Sequence, residues 1–273
     1  TGTIAVDAGG VNDALRNTQF TAVRAKDAVA DRFRERFGRR PSVDVRTPDL
    51  RINIAVRAGK ATISIDLAGV PLHRRGYRKP GVQVAAPMKE TLAAAVLEAA
   101  GWREIAAAGG AFADTMCGSG TLAIEAGLAA AEIAPGLLRA DHPVRRWLGF
   151  DAASWERMVA AAEERRRERL ASLPPILARD SDAEAVEIAR QCVRRAGLDR
   201  AIRVERADLA TFTPPSGAER GLIATNPPWG ERLSAREGLP TLYATLAERV
   251  RGHDEWLLAV VSPDPALARG LGM

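Results

Sequence analysis

The chain has 273 residues, 47% of them hydrophobic, and a net charge of +5, so it can bury a core in what we expect to be two domains. No apolar run approaches the roughly 20 residues of a membrane span, no signal segment opens the chain, and two cysteines with three histidines give neither a disulfide framework nor a zinc spacing. We therefore expect a cytoplasmic protein without a metal and, because the chain begins at Thr1, a fragment of a longer polypeptide.

The positive charge is concentrated in the N-terminal part. Residues 1–79 contain 16 Lys and Arg against 8 Asp and Glu, whereas residues 80–273 contain 23 against 26. A field of arginines suits a phosphate backbone, and this distribution favours nucleic acid as the partner. The alternative is a solvated basic face, but the C-terminal part shares the preference for Arg and is still slightly acidic.

The N-terminal part is predicted to combine one helix with paired strands. An amphipathic helix over residues 21–37 places four apolar residues on one side and ends at Gly38; these are Val23, Ala30, Phe33 and Phe37. From Leu50 the apolar residues alternate with period two on both sides of residues 58–60, which predicts a β-hairpin.

A basic segment, residues 72–78, follows the hairpin and leads to Pro80-Gly81, which we take as the junction between domains 1–79 and 80–273. Bases could stack on Tyr77 while Arg74, Arg75 and Arg78 hold phosphates. A structural linker between domains would look similar, and the two interpretations are equally supported.

The second part alternates strands and helices from about Pro87. A helix is predicted from Pro87 to Gly101, a short strand over residues 111–113, and a helix from Leu122. A strand, a turn of small residues and a helix form the nucleotide corner of a doubly wound fold.

The turn between that strand and helix departs from the glycine spacing of dinucleotide sites and of the P-loop. Gly118 and Gly120 would let a ligand approach the backbone, and Asp114 could accept from an ammonium group. An amino-acid-bearing nucleoside, S-adenosylmethionine, fits this combination. We predict that the ligand is held by Asp114, Met116, Cys117, Gly118, Ser119, Gly120 and Thr121.

Two later strands also end at aspartates. A strand over residues 176–180 places Asp180 to accept from ribose hydroxyls, and Ser181 with Glu184 reads as a capping box for a helix ending at Gly197. A strand over residues 202–208 places Asp208 to meet the adenine amino group. Each aspartate alone is more often a cap, but their recurrence at one edge of a parallel sheet favours a ligand site.

The segment Asn226-Pro227-Pro228-Trp229 follows an apolar strand, residues 221–225, and precedes Gly230-Glu231-Arg232-Leu233. Proline rigidity should fix the Asn226 amide oxygen and the Pro227 carbonyl side by side, where two acceptors fit an NH2 group. Trp229 offers a surface on which a planar ring can stack. We predict that residues 226–229 form the catalytic segment, that Asn226 also borders the cofactor, and that the substrate is an amino-bearing base.

Asp114 and Asp180 lie 66 residues apart, more than the usual spacing of about 20, so a segment of about residues 135–175 is inserted. It contains Arg145-Arg146-Trp147 and a charged helix predicted from Trp155 to Leu170. We favour a substrate-facing element over a solvated helical excursion.

Over nearly its whole length the chain resembles the bacterial 23S ribosomal RNA guanine-N2 methyltransferases of the RlmL type. The resemblance is carried by Lys26-Asp27-Ala28-Val29, Pro48-Asp49-Leu50-Arg51, Leu72-His73-Arg74-Arg75-Gly76-Tyr77-Arg78, Met116-Cys117-Gly118-Ser119-Gly120-Thr121 and Asn226-Pro227-Pro228-Trp229-Gly230-Glu231-Arg232-Leu233. It implies an α/β, Rossmann-like class I methyltransferase domain with a smaller N-terminal α+β THUMP domain that binds RNA. It also implies that the methyltransferase domain is incomplete at its C-terminus, because the family continues through a closing hairpin and into a second methyltransferase that makes 7-methylguanine.

The activity implied by the resemblance is transfer of a methyl group from S-adenosylmethionine to the N2 of a guanine in 23S ribosomal RNA or a ribosome precursor, by base flipping and in-line displacement. The chain has Thr115, Ala178 and Trp229 where the family usually has proline, glycine and tyrosine. Four alternatives remain: methylation of tRNA guanine, methylation of DNA adenine, a covalent route through Cys117, and a non-catalytic RNA-binding assembly factor.

Overall fold

The computed structural model describes residues 2–79, 81, 87–229, 238–262 and 264–272. The chain divides into two compact units, the first comprising residues 1–72 and 140–156 and the second residues 73–139 and 157–273. This division differs from the predicted single junction at Pro80-Gly81, of which Pro80 lies outside the described residues. Part of the predicted insertion, residues 140–156, groups with the N-terminal unit.

The first unit is built on a four-stranded sheet in the order β2-β1-β3-β4. Its strands are β1 (Thr3–Gly9), β2 (Ser42–Val43), β3 (Leu50–Arg57) and β4 (Lys60–Asp66). The central strand β1 runs parallel to β2 and β3, and β3 pairs antiparallel with β4. The predicted hairpin is therefore confirmed.

Helix α1 (Thr18–Phe37) begins at Asn17, whose side chain accepts from the Phe20 amide at 2.9 Å, and ends at Gly38 with a left-handed φ of 70°. Its buried residues are Thr21, Ala22 and Ala30, small side chains that let a helix lie close to a sheet. The predicted apolar face is thus wrong for Val23, Phe33 and Phe37, which are exposed.

Residues 140–156 add a short 3-10 turn to the first unit, Pro143–Arg146. The Arg146 guanidinium donates to both Asp141 carboxylate oxygens, at 2.8 and 3.2 Å. Gly69 adopts a φ of 72°, and a Cβ there would collide with Pro143, so the loop after β4 packs against this turn. Helix α5 (Ala152–Leu170) starts here, which confirms the predicted charged helix.

The second unit is a five-stranded parallel sheet in the order β7-β6-β5-β8-β9. The strands are β5 (Ala111–Asp114), β6 (Ile176–Asp180), β7 (Ile202–Arg206), β8 (Gly221–Thr225) and β9 (Trp256–Val260). The helices of this unit besides α5 are α2 (Glu90–Ala99), α3 (Trp102–Ala107), α4 (Thr121–Ala130), α6 (Ala183–Ala196), α7 (Leu239–Val250) and α8 (Pro265–Arg269). The predicted doubly wound α/β fold is confirmed.

Both faces of this sheet are covered by apolar side chains. The adjacent residues Leu222 and Ile223 on β8 are fully buried but belong to two different clusters, because successive side chains of a strand point to opposite faces. One cluster contains Trp102 and Ile124, and the other contains Tyr243. Strands buried on both faces are typical of parallel sheets covered by helices on each side.

In the part of the chain that the structure describes, no helix combines the length and the apolar composition that crossing a membrane requires.

Candidate cofactor and substrate site

Three of the predicted site residues lie where strands of the parallel sheet end. Asp114 closes β5, Asp180 closes β6, and Asn226 directly follows β8. The strand order reverses direction at β5, which has β6 on one side and β8 on the other. Ligands of open α/β sheets bind at this kind of switch point, outside the carboxyl ends of the strands. The geometry therefore brings the predicted cofactor and substrate residues to one edge.

The turn from Asp114 to Thr121 is held by backbone hydrogen bonds to the end of β6. The Cys117 amide donates to the Arg179 carbonyl at 2.8 Å, and the Gly118 amide donates to Asp180 Oδ2 at 2.8 Å. Gly118 and Gly120 adopt φ values of 52° and 77°, in the left-handed region that favours glycine. These contacts fix the conformation of the turn, residues 114–121, which we name the cradle.

Asp114 is the buried carboxyl group at the centre of the edge, with 2% of its surface exposed. Its Oδ1 accepts from the Thr225 hydroxyl at 3.0 Å and from the Met116 amide at 3.2 Å. Burial raises the pKa of Asp114 to about 7, against the lowering effect of these two donors, and the nearby Asp180 raises it further. A group with this pKa changes its charge near neutral pH.

Asp180 holds the cradle through Oδ2, which accepts from the Gly118 amide at 2.8 Å, while its Oδ1 accepts from the Asp182 amide at 3.0 Å. Carboxylate oxygens accept more than one hydrogen bond, so ribose binding by Asp180 stays a prediction. The predicted Ser181–Glu184 capping box is wrong. Helix α6 is capped by Asp182, whose side chain accepts from the Glu184 amide at 2.8 Å.

Asp208 lies beyond the end of β7, because that strand stops at Arg206 and not at residue 208 as expected. Its exposed carboxylate caps a 3-10 turn, Leu209–Thr211, by accepting from the Ala210 amide at 2.8 Å. A contact between Asp208 and an adenine amino group stays a prediction.

The Asn-Pro-Pro-Trp segment leaves the sheet from Thr225, which is fully buried. Asn226 is half-buried, Pro227 is buried, and Pro228 and Trp229 are exposed. The indole Nε1 of Trp229 donates to Asn226 Oδ1 at 3.1 Å. The predicted continuation, Gly230 to Leu233, lies outside the described residues.

The remaining side chains of the turn are mostly turned inward. Ser119 and Thr121 are buried and share a hydrogen bond of 3.2 Å between their hydroxyls, while Met116 is half-buried. Burial raises the pKa of the Cys117 thiol well above its usual value, and Asp114 and Asp180 raise it further. A thiol held protonated is a poor nucleophile, so the covalent route through Cys117 is disfavoured.

The basic segment has a different role from the predicted one. Tyr77 is fully buried in the core of the second unit, and its hydroxyl donates to Glu125 Oε1 at 3.1 Å. The prediction that bases stack on Tyr77 is therefore wrong. Arg75 and Arg78 are largely buried and form ion pairs with Glu125 and Glu90, whereas Arg74 is exposed. For the three arginines, RNA contact stays a prediction.

Three interactions at this edge were missed by sequence reasoning: the Thr225–Asp114 hydrogen bond, the Asp182 cap and the ionic partners of residues 75–78. A signal for the last was present, because Glu90 and Glu125 are charged residues in helices made mostly of apolar residues and are both about 3% exposed. Buried carboxylates of this kind need cationic or hydrogen-bonding partners.

In the described part of the chain, no three or more His, Cys, Asp and Glu side chains are grouped so that they could hold a metal ion.

Two curated relatives align with this chain over its full length. It is 46% identical over 275 residues to the ribosomal RNA large subunit methyltransferase K/L of Syntrophotalea carbinolica and 45% identical over 277 residues to that of Cellvibrio japonicus. Both alignments cover 100% of this chain, which spans only 38% and 37% of the lengths of these relatives.

Solved structures are also similar to this chain over nearly its whole length. The crystal structure of SMU.472 complexed with SAH matches with a TM-score of 0.84 at 28% identity, covering 99% of this chain and 69% of that one. A predicted N6-adenine-specific DNA methylase from Listeria monocytogenes matches with a TM-score of 0.79 at 28% identity, covering 99% and 68%. TrmN from Thermus thermophilus, at 24% identity, a TM-score of 0.60 and coverages of 98% and 64%, shows the shared fold.

Two domain families account for most of the sequence. The THUMP domain matches residues 1–66, and the RMKL-like methyltransferase domain matches residues 75–272. The second match covers well over half of the chain and includes the whole parallel sheet with the strand-end residues described above. The chain therefore belongs to the RMKL-like methyltransferase domain family and joins that domain to an N-terminal THUMP domain.

Proposed function

We propose that this chain transfers a methyl group from S-adenosylmethionine to the exocyclic N2 of a guanine in 23S ribosomal RNA, in the cytoplasm. The observation that carries the proposal is the 3.0 Å hydrogen bond from Thr225 to Asp114, which joins the strand before Asn226 to the strand before the glycine turn. A residue suited to an amino group thereby lies beside a cradle suited to an amino-acid-bearing nucleoside.

The cradle fits S-adenosylmethionine on three grounds. The left-handed Gly118 and Gly120 let a ligand approach the backbone closely. Asp114 and Asp180 place two carboxyl groups at adjacent strand ends, one for an ammonium group and one for ribose hydroxyls. The similar SMU.472 structure contains SAH, and we extend that binding to this chain.

In the reaction, the chain holds a flipped guanine and orients its amino group. Trp229 stacks on the base, as its exposed indole allows, while Asn226 Oδ1 and the Pro227 carbonyl accept from N2. S-adenosylmethionine supplies an electrophilic methyl group when bound. Pro228 keeps the segment rigid, and the two acceptors hold the nitrogen lone pair toward the donor. As the methyl group passes from sulfur to N2, one sulfur–carbon bond is exchanged for one nitrogen–carbon bond, and N2 releases one of its protons to water. Most of the acceleration then comes from positioning and electrostatics, without a covalent intermediate on the protein.

Guanine is proposed only from the resemblance to the guanine-N2 methyltransferases, whereas ribosomal RNA as the substrate has two supports. The relatives at 46% and 45% identity are named ribosomal RNA large subunit methyltransferases. The basic character of residues 1–79 and the THUMP domain match suit an RNA backbone. The Asn-Pro-Pro segment itself indicates only an amino-bearing base.

The test is transfer of a labelled methyl group by the purified chain onto unmodified 23S rRNA, followed by nucleoside analysis. We expect N2-methylguanine. N6-methyladenine would overturn the assigned base, and preferential labelling of purified tRNA would overturn the assigned RNA. If calorimetry detects no binding of S-adenosylmethionine, a non-catalytic RNA-binding role replaces the enzymatic one.

A further inference from the structure

The segment His73–Arg78, which we name the strap, is fastened along helix α4 at two points. One is Glu125, which accepts from Tyr77 at 3.1 Å and pairs with Arg75 at 3.3 Å. The other is Thr121, one helical turn earlier on the same face, whose hydroxyl accepts from Arg78 Nη2. Gly76, with a φ of 111°, lies so close to the Leu138 carbonyl that any side chain would collide with it.

Arg78 connects three elements through one guanidinium group. Its Nη2 also donates to the Met88 carbonyl at 2.6 Å, and its Nε lies 3.7 Å from Glu90 Oε1 at the start of α2. Only 22% of the Arg78 side chain is exposed, and 4% of that of Glu90. A planar, permanently charged fork suits such a junction, because it orients several partners at once.

The Thr121 end of this junction belongs to the glycine cradle. Thr121 is the first residue of α4, directly after the left-handed Gly120, and its hydroxyl also bonds to that of Ser119 at 3.2 Å. From Ser119 the chain leads back to Gly118, whose amide binds Asp180. Arg78 thus fixes the helix side of the cradle, while Asp180 fixes its strand side.

We propose that Arg78 is a positioning residue for the cofactor cradle and acts through the Thr121 hydroxyl. The proposal rests on the proposed use of S-adenosylmethionine. It gives the strap a role in cofactor affinity, distinct from the RNA contact that its basic composition suggests.

Tyr77 supplies an internal comparison. It belongs to the same strap and binds the same helix, but it contacts Glu125 one turn away from the cradle. If the strap only stabilises the domain, Tyr77→Phe and Arg78→Met should behave alike. If Arg78 positions the cradle, only its loss should weaken cofactor binding.

The experiment is a double-mutant cycle on the whole chain, with S-adenosylmethionine affinity measured by calorimetry and thermal stability measured in parallel. The variants are Arg78→Met, Thr121→Val, their combination, Thr121→Ser and Tyr77→Phe. We expect Arg78→Met and Thr121→Val each to weaken binding roughly tenfold, and the double variant to be no weaker than the poorer single variant. Thr121→Ser keeps the hydroxyl and should bind more tightly than Thr121→Val, whereas Tyr77→Phe should bind within about twofold of wild type despite its lower Tm.

Other outcomes overturn the proposal. Single-variant affinities close to that of wild type, or effects that multiply in the double variant, mean that Arg78 does not act through Thr121. Loss of rRNA affinity in Arg78→Met without loss of cofactor affinity would make Arg78 an RNA contact. If Arg78→Met does not fold, Arg78→Lys replaces it in the cycle, since lysine keeps the charge beside Glu90 but lacks the paired donors. Absence of cofactor binding by wild type would overturn the proposed function itself, whereas normal wild-type binding with an uncoupled cycle overturns only this inference.

Discussion

The indole Nε1 of Trp229 donates a hydrogen bond to Asn226 Oδ1 at 3.1 Å. The oxygen that we assign to the substrate amino group therefore already has a donor within its own segment. An amide oxygen has two lone pairs, so it can keep Trp229 and accept from N2 as well. Neither phenylalanine nor tyrosine has an N–H in its ring, so this bond requires the tryptophan.

Replacing Trp229 separates stacking from this hydrogen bond. We expect Trp229→Phe to keep kcat/KM for rRNA within about threefold, because a planar ring remains and Asn226 keeps one acceptor site for N2. Trp229→Ala should lose about 1–3 kcal/mol of base stacking, which is roughly 5- to 150-fold in kcat/KM. Methyl-transfer kinetics measure both. A loss in Trp229→Phe as large as that in Trp229→Ala would show that the indole N–H, which both variants lack, is required to orient Asn226.

Asn226 should matter for transfer but not for cofactor binding. Removal of a single preorganised hydrogen-bonding group at a reacting centre typically costs about 10²- to 10³-fold in kcat, and we expect Asn226→Ala to lose at least this much. Binding of S-adenosylmethionine, measured by calorimetry on the same preparation, should stay within about threefold of wild type. Wild-type turnover by Asn226→Ala would remove the proposed role in holding the amino group.

Much of this site could be predicted from the sequence because its signals are local. The apolar strand that stops at two prolines, the glycine turn before α4 and the aspartates that end β5 and β6 each occupy a few consecutive residues. Parallel strands place their carboxyl ends at one edge, so these local signals sufficed to place Asp114, Asp180 and Asn226 together.

Apart from the local Asp182 cap, the interactions that sequence reasoning missed connect residues far apart in the chain. Tyr77 and Glu125 are 48 residues apart, and Thr225 and Asp114 are 111 apart. An aromatic residue between arginines has the same local composition whether it binds RNA or fills a core. Only the distant carboxylate of Glu125 distinguishes an RNA-binding tyrosine from a core tyrosine here. The spacing of apolar residues in the sequence gives no information about that contact.

The two tyrosines of the chain allow a matched test of the strap's contribution to stability. Tyr77 donates to the buried Glu125, whose pKa is raised by burial and lowered by Arg75 and Tyr77, whereas Tyr243 donates to the Ser262 hydroxyl at 3.0 Å. We expect Tyr77→Phe to lower the free energy of unfolding by about 2 kcal/mol and Tyr243→Phe by about 1 kcal/mol, because bonds to carboxylates are stronger. Urea denaturation of both variants measures the difference. Equal losses of unfolding free energy in the two variants would mean that Arg75 meets the hydrogen-bonding needs of Glu125 without the Tyr77 hydroxyl.

The raised pKa of Asp114 predicts how cofactor affinity depends on pH. With a pKa of about 7 in the free protein, the group is mostly protonated below neutral pH, and an ammonium ligand needs it ionised. S-adenosylmethionine should therefore bind the protein in which Asp114 is ionised, and binding should release a proton from the protonated form. The affinity for S-adenosylmethionine should fall as pH drops below 7, by up to about tenfold per pH unit. Calorimetry at pH 5.5 to 8, in buffers with different ionisation enthalpies, measures both affinity and proton release.

The contribution of Asp114 to the free energy of unfolding depends on pH in the opposite direction from cofactor affinity: it falls as pH rises. Between the usual aspartate pKa of 3.8 and about 7, the native state binds a proton at Asp114 that the unfolded chain does not, so this group stabilises the fold below pH 3.8 and loses that contribution as pH rises to 7. Asp114→Asn should bind the cofactor weakly with an affinity that no longer changes over this range, and its free energy of unfolding should decline less from pH 5 to 7 than that of wild type. If Asp114→Asn kept the wild-type pH dependence of binding, the titrating group would be another one, and Asp114 would not be the ammonium acceptor.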